Sequence, residues 1–231
     1  MRYLTLLLML LALGVAGCGD DDDDDGDSGS APPAETQTET VAKPPVEKQG
    51  GCVEVPQPDS KPDGGEKKPS ESLSGDYEAT FETNCGSFTV EMDEDLGGLS
   101  AASFVQLADS GFYEDTFFHR IAPGFVIQGG DPTGTGTGGP GYTTRAAPPS
   151  DAQYPQYTVA MAKGAAERPG TSGSQFFVMT GDSGLPPDYA IVGTVTKGTR
   201  VIDRIGELGD ATEQPTRIVT IEKTSVSPPL E

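Results

Sequence analysis

A chain of 231 residues with 36 Asp and Glu against 15 Lys and Arg, net charge −21, excludes nucleic acid as a partner, because phosphate binding needs clustered Lys and Arg to release counterions. With Cys18 read as acylated, as argued next, one histidine and two cysteines remain, one ligand short of a structural zinc centre. Length allows one or two domains, and the aromatic residues point to one, since every Phe and Tyr except Tyr3 lies beyond residue 75.

At the N-terminus, Arg2, the apolar run from Leu4 to Val15 and the small pair Ala16-Gly17 have the order of an export signal. The run falls well short of the roughly 20 residues that cross a bilayer. Val15-Ala16-Gly17-Cys18 resembles a bacterial lipobox. That resemblance makes residues 1–17 a lipoprotein signal peptide and Cys18 the acylated first residue of the mature protein. Its acyl chains would supply the two hydrophobic anchors that stable attachment requires. An ordinary signal cleaved after a small residue is the alternative. The lipoprotein reading places the protein at the cell membrane, lipid-anchored and facing the extracytoplasmic side.

Residues 18–75 hold scattered valines, one leucine and no aromatic residue. They cannot bury enough apolar surface to offset ordering, so an acidic, Pro/Gly-rich disordered tether is expected. Asp21, Asp23, Asp25 and Gly26 fit the opening of an EF-hand loop, but its twelfth position is Pro32 in place of Glu. A solvated acidic spacer is the reading that follows. Export permits disulfides. With Cys18 set aside, Cys52 and Cys85 remain, either as a bridge or as two free thiols, and export favours the bridge.

From Tyr77 the pattern changes. Tyr77 to Thr83 and Phe88 to Met92 read as strands joined by a turn at Asn84-Cys85-Gly86-Ser87. Ser100 is positioned to cap a helix carrying Phe104, Val105, Leu107 and Ala108 and ended by Gly111. Short strands follow near 116–121, 125–129, 157–161, 175–179 and 191–197. A second helix carries Val201, Ile202, Ile205 and Leu208, and Ile218 to Val226 forms a last strand. Many short strands with two helices, and no regular strand-helix alternation, indicate a β-barrel or sandwich with helical caps.

Several motifs reduce to ordinary structure. Gly134, Gly136 and Gly139 satisfy GxGxxG but run into Pro140 and Pro148-Pro149 rather than a helix, so a surface loop is expected. His119, between Phe118 and Arg120, reads as a structural strand residue, and no GxSxG elbow supplies a serine nucleophile. Asp93, Glu94, Asp95, Glu114 and Asp115 read as solvated turn charges. Arg120 is different. It lies in an apolar strand segment, and Phe125, Val126, Gln128, Gln175 and Phe177 offer the wall and the polar partners that a half-buried guanidinium needs.

FHRIAPGFVIQGGD at 118–131, MAKG at 161–164, GSQFFV at 173–178 and LPPDYAIVG at 185–193 occur in that order. Together they resemble the cyclophilin-type peptidyl-prolyl cis-trans isomerases across roughly residues 76–226. The resemblance implies a mainly β fold over residues 76–231: a closed eight-stranded antiparallel barrel capped by two helices, with its active groove on the outer wall. It implies isomerisation of X-Pro bonds without metal or cofactor, with Arg120 and Gln128 catalytic. The substrate-binding residues would be Phe125, Val126, Met161, Ala162, Lys163, Gln175, Phe177, Leu185 and Tyr189. Proline-containing segments of unfolded or exported proteins are the implied partners, and a monomer is expected. A non-catalytic peptide-binding chaperone or assembly module is the alternative. Three residues depart from the best-studied members: Tyr189 stands for a groove histidine, Lys163 for an asparagine, and Gly184 lies where a tryptophan lines the cyclosporin site.

Overall fold

The structure, a computed structural model, describes residues 51–182 and 184–230. Residues 1–17, Cys18 and the tether as far as residue 50 therefore lie outside the described residues. The chain opens with an antiparallel hairpin, β1 (Glu78–Thr83) and β2 (Gly86–Met92). Thr83 pairs with Gly86, so the turn is the two-residue Asn84-Cys85. Helix α1 (Glu94–Asp109) follows, then β3 (Thr116–Phe117), β4 (Arg120–Ala122), β5 (Val126–Gly129), β6 (Thr144–Arg145), β7 (Thr158–Met161), β8 (Thr171–Ser172), β9 (Phe176–Met179) and β10 (Ile191–Lys197). Helix α2 (Thr199–Gly206) and β11 (Thr220–Ser227) complete the order.

Nine strands form one curled antiparallel sheet in the order β3-β11-β1-β2-β10-β7-β9-β5-β4, and β6 pairs with β8. The closed eight-stranded barrel expected from the resemblance is thus corrected to an open nine-stranded sheet. The reason lies in residues 116–121, expected as one strand. They divide at Phe118 and His119 into β3, which pairs with β11, and β4, which pairs with β5. One short stretch of chain supplies both edges of the sheet, and no ladder joins them.

The concave face holds the core. Period-two alternation sends Phe81, Phe88, Ile127, Val159, Met161, Phe176 and Val178 inward. Phe81 stacks on Phe88 with centroids 5.1 Å apart, and Phe104 meets Phe176 edge-on at 5.2 Å. Helix α1 covers one end with Phe104, Leu107 and Ala108, and α2 contributes Val201, Ile202 and Ile205. Asp93, not Ser100, caps α1 by accepting from Leu96 N at 2.8 Å. The helix starts earlier than its apolar spacing suggests because it bends at Gly98. Ser100 is buried within it, paired with Thr144 and Ser172 hydroxyls.

Residues 52–75 run along the domain as an extended strap, which moves the expected tether boundary at residue 75 toward the N-terminus. Composition argued for disorder because the segment is poor in apolar residues. Polar and covalent bonds hold it instead. Cys52 is disulfide-bonded to Cys85, and Val53 N donates to Asn84 O at 2.8 Å. Further on, Lys61 N donates to Pro132 O at 2.8 Å, Gly64 N to Gly139 O at 2.9 Å and Glu66 N to Pro140 O at 3.1 Å. Lys61 Nζ reaches the carbonyls of Phe112 (2.7 Å) and Glu114 (2.8 Å). Strap and loop pass so closely at Gly64 and Gly141 that a Cβ on Gly141 would lie 3.0 Å from Gly64 Cα.

A bridge spanning 33 residues stabilises by about 3 to 4 kcal/mol in the chain-entropy treatment. Replacing Cys52 and Cys85 together by Ser should lower unfolding stability by that order, read as a reduced urea midpoint, with a slope no smaller than that of the wild type because the unbridged unfolded chain exposes at least as much surface. An unchanged midpoint would contradict the strap's anchoring role.

Candidate active site

The alternation that fills the core also builds the outer wall. Val126 and Gln128 on β5, Ala160 on β7 and Phe177 on β9 face away from the main core, and Ala122, Val126, Ala160, Phe177 and Met179 form a second apolar cluster. Phe125, Ala162, Leu185 and Tyr189 pack against it. Arg120 and Gln128 are direct cross-strand partners on β4 and β5, so their side chains share one face.

A polar relay crosses this wall. Arg120 Nη1 donates to Gln128 Oε1 at 3.3 Å, Gln128 Nε2 to Gln175 Oε1 at 3.1 Å, and Gln175 Nε2 to Gly138 O at 3.0 Å. The guanidinium carbon lies 5.7 Å from the Phe125 ring centre, within cation–π range. Beside it opens a cavity of about 240 Å³ lined by Arg120, Phe125, Val126, Gln128, Ala162, Lys163, Phe177, Leu185 and Tyr189. A larger cavity of about 750 Å³ adjoins it, sharing Gln128, Ala162 and Lys163 and bounded by Gln175, the Gly-rich loop and Asp63 of the strap.

Ten of the eleven expected groove residues thus line one cavity or the other. Met161 does not: it is fully buried on the core side, opposite Phe176, because the alternation that turns Ala160 and Ala162 outward turns Met161 inward. The amide of Ala162 is committed to Gln175 O at 2.8 Å. Lys163 folds its ammonium back over Tyr189, 5.6 Å from the ring centre, and donates to Gly164 O and Glu167 O at 3.3 and 3.2 Å. Tyr189 meets Phe177 edge-on at 5.3 Å. At Gly184 an added Cβ would meet nothing within 4 Å.

The Gly-rich loop is occupied by its own carboxylate. Buried Asp131 accepts from Thr133 N (2.7 Å), Thr133 Oγ1 (2.8 Å), Gly136 N (2.5 Å) and Gly138 N (3.2 Å). Those amides are therefore not presented to a phosphate. Burial raises the Asp131 pKa, but the Thr133, Gly138 and Gly136 bonds outweigh it and hold the carboxyl below its ordinary value. His119 lines neither cavity. Burial depresses its pKa, with Asp131 opposing and Arg120 assisting, and its Nδ1 is buried without a partner. Among the described residues no group of three or more His, Cys, Asp or Glu is placed to hold a metal.

Sequence reasoning missed three contributors. Glu213 Oε2 accepts from Arg120 Nε at 2.7 Å. Tyr154 braces Tyr189 from behind, its hydroxyl donating to Tyr189 O at 2.8 Å and accepting from Tyr189 N at 3.1 Å. Asp63 accepts from Gly139 N at 2.8 Å. Pro62-Asp63-Gly64 and Gly209-Asp210 are recognisable turn signals. Neither signal reports which distant group the turn approaches.

The wall carries a fixed cationic donor beside an apolar cavity, and no serine, threonine or cysteine is among the residues that line that cavity. This chemistry can bind and polarise a neutral group without covalent attack. A curled antiparallel sheet with two helices and such a groove on its outer wall defines the cyclophilin class. The chain belongs to the family described as cyclophilin type peptidyl-prolyl cis-trans isomerase/CLD, whose match covers residues 79–226, and it is a peptidyl-prolyl cis-trans isomerase. It is 36% identical over 152 residues to the peptidyl-prolyl cis-trans isomerase CYP18-2 of Arabidopsis thaliana, covering 64% of this chain and 93% of that protein. It is 37% identical over 169 residues to peptidyl-prolyl cis-trans isomerase A of Mycobacterium tuberculosis, covering 64% and 91%. The crystal structure of a Cryptosporidium parvum cyclophilin type isomerase matches with a TM-score of 0.59 at 30% identity, over 66% of this chain and 98% of that one. A second crystal structure, of that protein in the presence of the dipeptide Ala-Pro, matches with a TM-score of 0.57 at 30% identity.

Because the folded Asp131 pKa is depressed, its contribution to stability is complete above the ordinary carboxylate value and is lost as pH falls through the lower folded value. Asp131→Asn, which sets an amide against backbone donors, should cost about 1 to 3 kcal/mol at pH 7. The gap between variant and wild type, measured by denaturant unfolding from pH 7 to pH 2.5, should shrink below about pH 4.

Proposed function

We propose that Arg120 carries the catalytic step and that the outer-wall cavity receives the substrate proline ring. The observation that carries this reading is the Arg120 guanidinium, held by Gln128 at the mouth of a cavity walled by Phe125, Val126, Phe177 and Leu185. The C–N bond of a peptide resists rotation by about 18 to 20 kcal/mol because of resonance, and X-Pro bonds alone populate cis substantially. A catalyst has only to weaken that resonance. As the bond twists, the prolyl nitrogen pyramidalises and gains a lone pair that accepts a hydrogen bond. Arg120 donates to it, an interaction that is strong in the twisted state and weak in either planar state. Gln128 fixes the donor. The larger cavity, with Gln175 and the backbone at Ala162 and Lys163, holds chain N-terminal to the proline. The Ala-Pro dipeptide used with the Cryptosporidium parvum relative fits this assignment.

Clients are exported proteins folding outside the cytoplasm, and the enzyme works as a lipid-anchored monomer. Support comes from the signal-like order of residues 1–17 and the lipobox-like sequence before Cys18. The Cys52–Cys85 disulfide suits an oxidising compartment. The acidic run Asp20 to Asp25 would be repelled by an anionic membrane surface.

Arg120→Ala should remove about 2 to 4 kcal/mol of transition-state stabilisation, lowering kcat/KM roughly 30- to 1000-fold with the fold intact. NMR exchange spectroscopy on an Ala-Pro peptide measures this, and equal turnover in the variant would end the mechanism. Expressed in a bacterium with radiolabelled palmitate, the full chain should take up label and fractionate with membranes, whereas Cys18→Ser should do neither. Labelling that survives the substitution would exclude Cys18 as the acylated residue.

A further inference from the structure

Gln128 restrains only one edge of the Arg120 guanidinium. The other is met by the loop between α2 and β11, where Glu213 Oε2 accepts from Arg120 Nε at 2.7 Å. This loop is shaped to make that approach. Asp210 Oδ1 accepts from Thr212 N (2.7 Å), Thr212 Oγ1 (2.7 Å) and Gln214 N (3.1 Å), while Asp210 N donates to Gln214 O at 2.9 Å and Glu213 N to Asp210 O at 3.0 Å. The closed turn sets Glu213 at φ 63°, in the left-handed region. Glu213 O then accepts from Ile121 N at 3.0 Å, clamping the turn to β4 one residue from Arg120. At the turn's start, a Cβ on Gly209 would collide with Ile121 O.

The Arg120 and Glu213 side chains are 33% and 46% exposed, and an ion pair so placed adds little to the stability of a fold. What the pair does constrain is the orientation of the guanidinium. The guanidinium is a planar fork of five N–H donors. With Nε held by Glu213 and Nη1 by Gln128, its plane is fixed from two sides, and the donors left over belong to the group lining the cavity.

We propose that Glu213 is a positioning residue for the isomerase reaction, its carboxylate setting the plane in which Arg120 meets the prolyl nitrogen. The inference rests on the role given to Arg120 above. Glu213→Gly is the informative variant, since glycine accepts the left-handed backbone without strain and keeps the carbonyl bond to Ile121 while deleting the carboxylate. In the full chain it should melt at or above the wild-type temperature, yet lose about tenfold in kcat with little change in KM. Glu213→Gln, which still accepts from Nε, should recover most of that loss. The side-chain Nε–H of Arg120 should exchange with solvent faster in Glu213→Gly than in wild type by NMR. Wild-type kcat in Glu213→Gly, alongside an inactive Arg120→Ala, would overturn the positioning role alone. Full turnover in Arg120→Ala would overturn it together with the role of Arg120.

Discussion

A guanidinium on a half-exposed wall is a flexible cation that prefers water, and much of the site can be read as a means of keeping Arg120 in one plane. Gln128 holds it along the ladder from β5, Glu213 from the loop beyond α2, and the Phe125 ring beneath it. Gln128 is in turn fixed by Gln175, and Gln175 by the carbonyl of Gly138. The relay thus ends in the Gly-rich loop, which Asp131 ties from inside and the strap ties from outside through Gly139 and Pro140. Preorganisation of this kind is what makes a donor more effective toward a developing lone pair than water would be.

That rigidity depends on the sheet. Strands β5, β7 and β9 each place one set of residues in the core and the alternate set on the outer wall, so Ile127, Val159 and Phe176 anchor the positions from which Gln128, Ala160 and Phe177 project. A shift of one residue in any of these strands would exchange the two sets, and the aromatic core opposes it. Catalysis and folding here draw on the same register. The division of residues 116–122 between two sheet edges adds to this, because Arg120 begins the edge strand β4 and lies where the loop carrying Glu213 can cover it.

Much of this was legible in the sequence, and for identifiable reasons. The hairpin after Tyr77, both helices and the strands carrying Arg120, Gln128 and Phe177 follow from alternation, apolar spacing and turn residues, which are local. Arg120 stood out as a cation in an apolar segment, with Phe125, Val126, Gln128, Gln175 and Phe177 as its wall and partners, whereas the other groove residues came from four ordered motifs. Met161 shows the limit of that route: membership in a motif does not say which face a residue takes, whereas alternation from Ala160 does. Closure of the barrel depended on pairing between β3 and β4, which no local signal reports. The strap was misjudged because composition measures apolar surface, and this segment is held by backbone hydrogen bonds and a disulfide. Glu213 was out of reach altogether, since it meets Arg120 across 93 residues of chain.

The account stands or falls on where the proline sits relative to Arg120. A crystal structure of the chain with an Ala-Pro peptide tests this most directly. The account predicts the proline ring among Phe125, Val126, Phe177 and Leu185, with its nitrogen about 3 Å from a guanidinium nitrogen and the Glu213 contact to Nε retained. A proline ring bound elsewhere in the groove, or an Arg120 side chain turned away from the peptide, would contradict it.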